Sequence, residues 1–326
     1  MLTQQRCAKL LLAGLGVIWL VHPGALADDA RTVRLKLGTY NVEYFFDHHD
    51  DPYTDDDKYP AKPEEALAAV AETIRSINVD FLALQEVENQ GMLDDFNRRF
   101  LHEMDYRFAW VNQRSGEKAI NLAFLSRVPI GDLTVYAFDE FSLPGEVRRW
   151  SFVRQLVRVT LEPSRGVTLH VYMVHFKAQS GSTADDPKSA KWRLAEARQV
   201  HARVAALLMD DPAAWVAVIG DVNDLPDSPP CLALTRPEDG MALIDAHAGL
   251  PPEQRDTLLR QSSYQVVEPH QPVDYIFASP GLAEHLVTAS VSTPLPMDTK
   301  ASDHRPLTAA FDLPLAGTDG ASTEQE

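Results

Sequence analysis

Cysteine is close to absent from this chain. Cys7 and Cys231 are the only two in 326 residues. Cys7 lies in the extreme N-terminal segment, too early and wrongly flanked for lipid attachment. Without that segment Cys231 stands alone, no internal disulfide can form, and stability must come from an apolar core and any bound metal. One cysteine, with histidines that lack tight ligand spacing, also argues against a structural zinc site. Positive charge is scarce too: 30 Lys and Arg face 47 Asp and Glu, for a formal charge of -17. Such a balance argues against charge-driven, high-affinity binding of nucleic acid. It leaves room for a nuclease, because divalent cations and a local basic groove can offset the repulsion. No internal repeat and no long linker occurs, and no apolar run after the first 27 residues is long enough for a membrane helix.

What is present begins with a leader. Arg6 and Lys9 precede the apolar run Leu10 to Val21, which is short for a bilayer span. Ala25-Leu26-Ala27 follows as an A-x-A cleavage signature, then Asp28-Asp29. The pattern predicts a secretory signal peptide over residues 1–27, cut after Ala27, and hence a periplasmic or secreted protein. An uncleaved membrane anchor is the alternative. Removing the leader takes away two bases and no acids, so -17 becomes -19. A catalytic domain is expected over residues 28–316, followed by a disordered tail over 317–326 rich in Gly, Thr, Ser and Glu. Its 45% hydrophobic content is ordinary for a chain with a real core.

Within that domain, alternation predicts a strand from Arg34 to Tyr40. Leu67, Val70, Ile74 and Ile77 recur at three and four residues, predicting a helix over Glu64–Asn78 with Pro63 at its first turn. Phe81–Leu84, Asn121–Leu125, Phe152–Leu161, Leu169–Val174, Trp215–Ile219, Val273–Ala278 and Pro306–Phe311 read as further strands. Lys188–Met209 reads as the longest helix. Strands interleaved with a few helices imply two sheets packed face to face with helices outside.

Five polar clusters sit where these apolar runs end. They are Leu84-Gln85-Glu86, His175-Phe176-Lys177, Gly220-Asp221-Val222-Asn223, Val273-Asp274-Tyr275 and Ser302-Asp303-His304-Arg305-Pro306. Each alone has a plain structural reading. Together they supply carboxylates for a hard cation, an amide for an oxyanion and histidines for proton transfer, the set that metal-assisted phosphoryl hydrolysis needs. Glu86, Asp303 and either Asn41 or Glu43 offer oxygen ligands for Mg²⁺ or Mn²⁺. Asp221 and Asn223, two apart on an extended segment, can orient water and donate to a phosphate oxygen; an ordinary Asx turn is the alternative. His304 needs a partner to fix its tautomer, and Asp274 is the candidate. His175 is a second candidate histidine. Lys177 is either a phosphate-binding cation or a surface lysine. Arg154, inside a predicted strand, requires a partner, either a core carboxylate or a substrate phosphate.

The ordered set Asn41-Val42-Glu43, Gln85-Glu86, His175, Asp221-x-Asn223, Asp274 and Ser302-Asp303-His304 resembles the endonuclease/exonuclease/phosphatase superfamily, over about Val33 to Leu313. Tyr40 to Glu43, His175 to Lys177 and Gly220 to Pro226 look most like secreted bacterial members. The resemblance implies a four-layer α/β/β/α sandwich with a metal-centred cleft. It implies Glu86 as metal ligand with Asn41 and Asp303 nearby, Asp221 acting on water, Asn223 on the phosphate, and Asp274 with His304 as the acid/base pair. It also matches His175 to a second histidine and Arg154 to a phosphate-contacting arginine. Asn121 is the nearest polar residue to serve as partner of that second histidine. Glu43 is a doubtful ligand, since abasic endonucleases carry Asp there.

The expected activity is that of a monomeric, Mg²⁺-dependent phosphodiesterase with nucleic acid as substrate, or a phospholipid or inositol phosphate. Phe138, Phe141, Trp150 and Phe152 fall in one expected loop and could form a lipid-facing hairpin. The acidic loop Asp47–Asp57 is expected to be solvated, with a structural Ca²⁺ as the alternative; it lacks the glycine of a standard calcium loop. Trp192 and Arg193 face either core or substrate.

Overall fold

The computed structural model describes residues 31–315 except 51, 53, 55–57, 114–118, 182, 239, 261–263, 265–271 and 294–299; of 259 and 260 it describes the backbone alone. The expected leader, the tail and Asp51, Asp55, Asp56 and Asp57 of the acidic loop lie outside the described residues.

The elements run in order β1 (Thr32–Phe45), α1 (Glu64–Ile77), β2 (Phe81–Val87), α2 (Gln90–Phe100), β3 (Phe108–Val111), β4 (Asn121–Ser126), β5 (Ile130–Val135), β6 (Glu140–Phe141), β7 (Trp150–Ser151), β8 (Val157–Ser164) and β9 (Val167–His175). Then come α3 (Ala190–Asp210), β10 (Trp215–Asp221), α4 (Pro229–Thr235), β11 (Ile244–Asp245), α5 (Pro252–Arg260), β12 (Asp274–Ala278), α6 (Pro280–Ala283), β13 (Leu286–Ser292) and β14 (Leu307–Pro314). Two six-stranded sheets form, in the orders β13-β14-β1-β2-β4-β3 and β11-β12-β10-β9-β8-β5. β6 and β7 make a separate hairpin.

Each sheet has one parallel pair, β1 with β2 and β9 with β10. Parallel neighbours need a crossover, and α1 and α3 provide it. The other ladders are antiparallel. Leu35, Leu37, Phe81 and Ala83 of the first sheet share one buried core with Val171, Met173, Ala217 and Ile276 of the second. Tyr40, Leu82 and Leu84 on the first sheet's outer face pack with Leu67, Val70 and Ile74 of α1 and Phe96 of α2. Tyr172, Val216, Val218 and Phe277 on the second sheet's outer face pack with Val200 and Val204 of α3 and Leu234 of α4. The result is the expected four-layer α/β/β/α sandwich.

Several boundaries differ from expectation for identifiable reasons. α1 stops at Ile77 because Asn78 takes a left-handed φ of 43°. α3 starts at Ala190, since Lys188 and Ser189 are both left-handed. The strand expected from Phe152 begins at Val157. Val153 turns away, its N–H donating at 3.0 Å to Glu196 of α3 rather than to a neighbouring strand. Arg154 is therefore not inside a strand. Phe141, Trp150 and Phe152 are buried against the second sheet, and of the four expected loop aromatics Phe138 alone is exposed.

Strand alternation has one further consequence. The inner-facing positions run Leu35, Leu37, Thr39, Asn41 along β1 and Leu169, Val171, Met173, His175 along β9. Ala217, Ile219 and Asp221 continue the pattern in β10. The apolar inner faces thus turn polar at one common end, the C-terminal end of the parallel strands. Gly220 makes that end possible. It sits at φ 140°, and a Cβ there would lie 1.9 Å from the Val174 carbonyl oxygen. Gly220→Ala is expected to destabilise the fold by roughly 2 kcal/mol or more, visible as a lower melting temperature; an unchanged melting temperature would contradict this placement.

Candidate active site

His175, Asp221 and Asp274 form one row across β9, β10 and β12, since Asp221 registers with His175 on one side and Asp274 on the other. All three are buried. β12 runs antiparallel to β10, so its first residue meets the last of β10. The loop before β14 brings in His304, whose Nδ1 lies 2.8 Å from Asp274 Oδ2. That loop is tied to β1: Ser302 Oγ donates to the Asn41 carbonyl at 2.7 Å, and His304 N–H donates to Ser302 Oγ at 3.0 Å. The other His304 nitrogen, Nε2, lies 4.0 Å from Asp221 Oδ2 and 3.9 Å from Asp303 Oδ1. Tyr264 packs on the His304 ring, centroids 5.2 Å apart.

Burial by itself lowers the proton affinity of His304, but Asp274, through charge and hydrogen bond, and then Asp221 and Asp303 override it and raise it. Asp221 is pushed up, first by burial and then by Asp274, with His304 and the amides of Asn223 and Asn41 opposing. His175 is driven well below its ordinary value by burial, then by Arg154 and His304, and so is neutral. Its Nε2 stands 3.6 Å from Asp221 and 3.9 Å from Glu86. Its Nδ1 has no hydrogen-bond partner among the described residues. Asn121 does not supply one: its amide donates to the Glu88 carbonyl at 2.6 Å.

Glu86 reaches the same place by a bulge. Alternation would turn it outward with Leu82 and Leu84, but β2 carries an extra residue there and Glu86 takes φ 70°. Its Oε1 accepts from Asn41 Nδ2 at 3.3 Å and its Oε2 from Tyr44 N–H at 3.0 Å. Asn41 Nδ2 also donates to Asp221 at 3.2 Å, while its Oδ1 accepts from Glu43 N–H at 3.0 Å. In this arrangement Asn41 bridges two carboxylates as a donor. Glu43 turns to accept from Asp303 N–H at 3.0 Å.

The acids fit a divalent cation. Asp303 is pushed up to about 6, first by burial and, against the pull of His304, by Glu43 and Glu86. Oxygen donors crowded so that one resists ionisation are what a hard cation relieves. Among the described residues, the set of three or more ligand-type side chains that converges is Asp221, Asp274 and His304, with ligand atoms within 4.8 Å of one another. In that set His304 Nδ1 is already occupied by Asp274, which suits proton handling better than ligation.

Asn223 is left-handed at φ 57°, so the expected extended spacing from Asp221 is instead an Asx turn. Its N–H donates to Asp221 Oδ1 at 2.7 Å, and its amide donates to Asp221 Oδ2 and the Phe176 carbonyl, both at 3.1 Å. The turn still puts both side chains at the site. Arg154 and Lys177 line a cavity of about 350 Å³ beside Glu86. Among the described residues no carboxylate lies within salt-bridge distance of Arg154, although its charge acts on the buried Glu196; its Nη1 makes a 3.4 Å contact with the Phe176 carbonyl.

Two buried charges lie beneath that cavity: Glu196, which escaped the sequence reading, and Arg193, which it left open between core and substrate. Glu196 accepts from Val153 N–H at 3.0 Å and Lys177 N–H at 2.8 Å. Burial first, against those two hydrogen bonds, pushes it up to about 7. Arg193 donates to Asp224 at 2.9 Å and to the Lys177 carbonyl at 3.2 Å. The Lys177 peptide is thus held at both ends by one face of α3, and Arg193 faces the core. Trp192 sits at the rim, its Nε1 donating to the Ser151 carbonyl. The signal was in the spacing: positions 193 and 196 fall on the same helical stripe as the buried Val200 and Val204. Lys62 was also missed; its ammonium donates to the Glu43 carbonyl at 2.8 Å.

In metal-free protein the His304 imidazole is expected to titrate above 6.5 by NMR, and Asp274→Asn to bring it down. Because folding raises its proton affinity, its stabilising contribution is full below pH 6.5 and is lost as pH rises through the folded midpoint. Wild type and Asp274→Asn should therefore differ in melting temperature most just below pH 6.5 and converge in alkali. A wild-type midpoint at or below 6.5 would contradict the pairing.

No curated protein matches the sequence. Among solved structures, the human Nocturnin catalytic domain with bound sulfate superposes with TM-score 0.59 at 15% identity, covering 86% of this chain and 94% of that one. Truncated Caenorhabditis elegans TDP2 gives 0.55 at 17%, covering 87% and 100%. An AP endonuclease from Archaeoglobus fulgidus gives 0.52 at 19%, covering 86% and 100%. At these identities the likeness establishes the fold. The model of the Endonuclease/Exonuclease/phosphatase family matches residues 38–304, from the middle of β1 to the histidine on Asp274. This chain therefore belongs to the endonuclease/exonuclease/phosphatase family, a family of phosphoester hydrolases.

Proposed function

We propose that this protein is an exported, Mg²⁺-dependent phosphodiesterase that hydrolyses nucleic acid by direct attack of water on phosphorus. The observation that carries the reading is the meeting of the Asp274–His304 pair with Asp221, beside the crowded acids Glu86 and Asp303. Export rests on the leader pattern of residues 1–27, and the site is built within one chain, as a monomer requires.

Glu86 and Asp303 would hold the ion, with Asn41 and the Tyr44 N–H fixing the Glu86 carboxylate. Bound there, Mg²⁺ (or Mn²⁺) supplies positive charge to the phosphoryl and leaving oxygens. Asp221, raised toward neutrality by burial, takes the proton of the attacking water as the new O–P bond forms and the ester P–O bond breaks. His304, kept protonated by Asp274, gives its Nε2 proton to the leaving oxygen as the ester bond breaks. Asn223 donates to the same phosphate, exchanging its bond to Phe176 or Asp221. His175, neutral and buried, donates from Nε2 toward the phosphate. Arg154 and Lys177 attract the flanking phosphate.

Nucleic acid ranks above lipid because Phe141, Trp150 and Phe152 are buried, leaving Phe138 alone of the four expected loop aromatics to meet a bilayer. The surplus of acids favours the second reading, a small inositol phosphate or lipid headgroup, since a polyanion is repelled.

The test is hydrolysis of plasmid DNA, RNA, sphingomyelin and an inositol phosphate by the chain from Asp28 onward, in Mg²⁺ and in EDTA. Metal-dependent cleavage of nucleic acid is expected. His304→Ala and Asn223→Ala should each lower kcat by about 10²–10⁴-fold in protein that circular dichroism shows to be still folded. Full activity in both variants would overturn the site, and inert nucleic acid beside lipid or inositol phosphate turnover would overturn the substrate.

A further inference from the structure

Large aromatic side chains are rarely left open beside a reacting centre, yet Tyr44 is 42% exposed next to Glu86. It is held there at a conformational cost. Glu43 and Tyr44 are consecutive non-glycine residues with φ of 47° and 41°, a pairing disfavoured for side chains with a Cβ. Four contacts enforce it. Glu43 N–H donates to Asn41, Tyr44 N–H to Glu86, Asp303 N–H to the Glu43 carboxylate, and Lys62 to the Glu43 carbonyl. The peptide that mounts the Tyr44 ring is thus the one that fixes the Glu86 carboxylate. A substrate group resting on that ring is registered against the acid cluster.

The ring itself is braced. Tyr59 stacks on it with centroids 4.8 Å apart and planes 20° apart, and the buried Phe46 packs on Tyr59 at 4.9 Å. Both tyrosines line the 350 Å³ cavity together with the amides of Asn112 and Gln155 and the cations Arg154 and Lys177. An aromatic face with amide edges and cations for a neighbouring phosphate is the set that stacks a heterocycle and reads its polar rim. A quaternary ammonium headgroup suits it poorly: the two rings close on each other rather than forming a cage, and Arg154 and Lys177 repel a cation.

We propose that Tyr44, braced by Tyr59, is a platform for the nucleobase adjoining the scissile phosphate, so that the cavity selects nucleotides by stacking. This rests on the nuclease reading and adds to it a determinant of base dependence.

The experiment is a cycle of two substrates against three proteins. One oligonucleotide carries normal bases; its counterparts carry a stable abasic residue on either side of the main cleavage position. Wild type, Tyr44→Ala and Tyr44→Phe are compared by KM. With normal bases, Tyr44→Ala should raise KM about 10-fold, and Tyr44→Phe should restore it, because stacking needs the ring and not the hydroxyl. Wild type should lose a similar factor on one abasic substrate, where Tyr44→Ala adds nothing further. Equal penalties for Tyr44→Ala on all substrates, or no penalty, would overturn the platform while leaving nuclease activity in place. No cleavage of any oligonucleotide by wild type, with turnover of a phosphocholine diester or inositol phosphate, would overturn both.

Discussion

The structure depends on tolerating several carboxylates where two apolar sheet faces run out. Asp221 and Asp274 are buried, and Glu86 and Asp303 are largely enclosed beside them. Like charges in such a setting resist ionisation unless something compensates. Compensation comes from three sides. His304 lies on Asp274, the amides of Asn41 and Asn223 lie on Asp221, and the Tyr44 N–H and the Asn41 amide lie on Glu86. What is left over is the crowding of Asp303 by Glu43 and Glu86, which a divalent cation would relieve.

The same end of the sandwich gathers the backbone strain. Glu43, Tyr44, Glu86, Asn223 and Gly220 all have positive φ, and all belong to strand ends that deliver site residues. Each such non-glycine conformation costs of order 1–3 kcal/mol and survives only where the surroundings fix it. The surroundings here are two packed sheets and a buried charge pair. Arg193 and Glu196 of α3 pin the Lys177 peptide from below, so cavity wall and catalytic row share one rigid support.

Much of this was legible in the sequence. The helical spacing of Leu67, Val70, Ile74 and Ile77 and the apolar run Trp215–Ile219 carry their own secondary structure, because burial on one face imposes a period. The strand-end positions of Glu86, His175, Asp221 and Asp274 followed from those runs. What was not legible depends on tertiary contact. The start of β8 moved because Val153 finds Glu196, 43 residues away. The inward turn of Glu86 needs a bulge that alternation alone would deny. The bridging of Glu86 and Asp221 by the Asn41 amide joins residues 45 and 180 positions apart, which no local pattern announces. Tyr44 gave no periodic signal at all; its role follows from two consecutive left-handed residues. α2 was not read from the sequence; it is held at its start by the Asn89 side chain, which accepts from Met92 N–H.

The central claim is that the acids around Glu86 form a cation site integral to this end of the fold. The direct measurement is the melting temperature of purified protein against Mg²⁺ concentration, for wild type and Glu86→Gln. Selective binding to the folded state should stabilise wild type progressively, by about 2.7 kcal/mol at a hundredfold excess over Kd. Glu86→Gln should respond weakly or not at all. No Mg²⁺ dependence in wild type, or an equal rise in both proteins, would contradict the account.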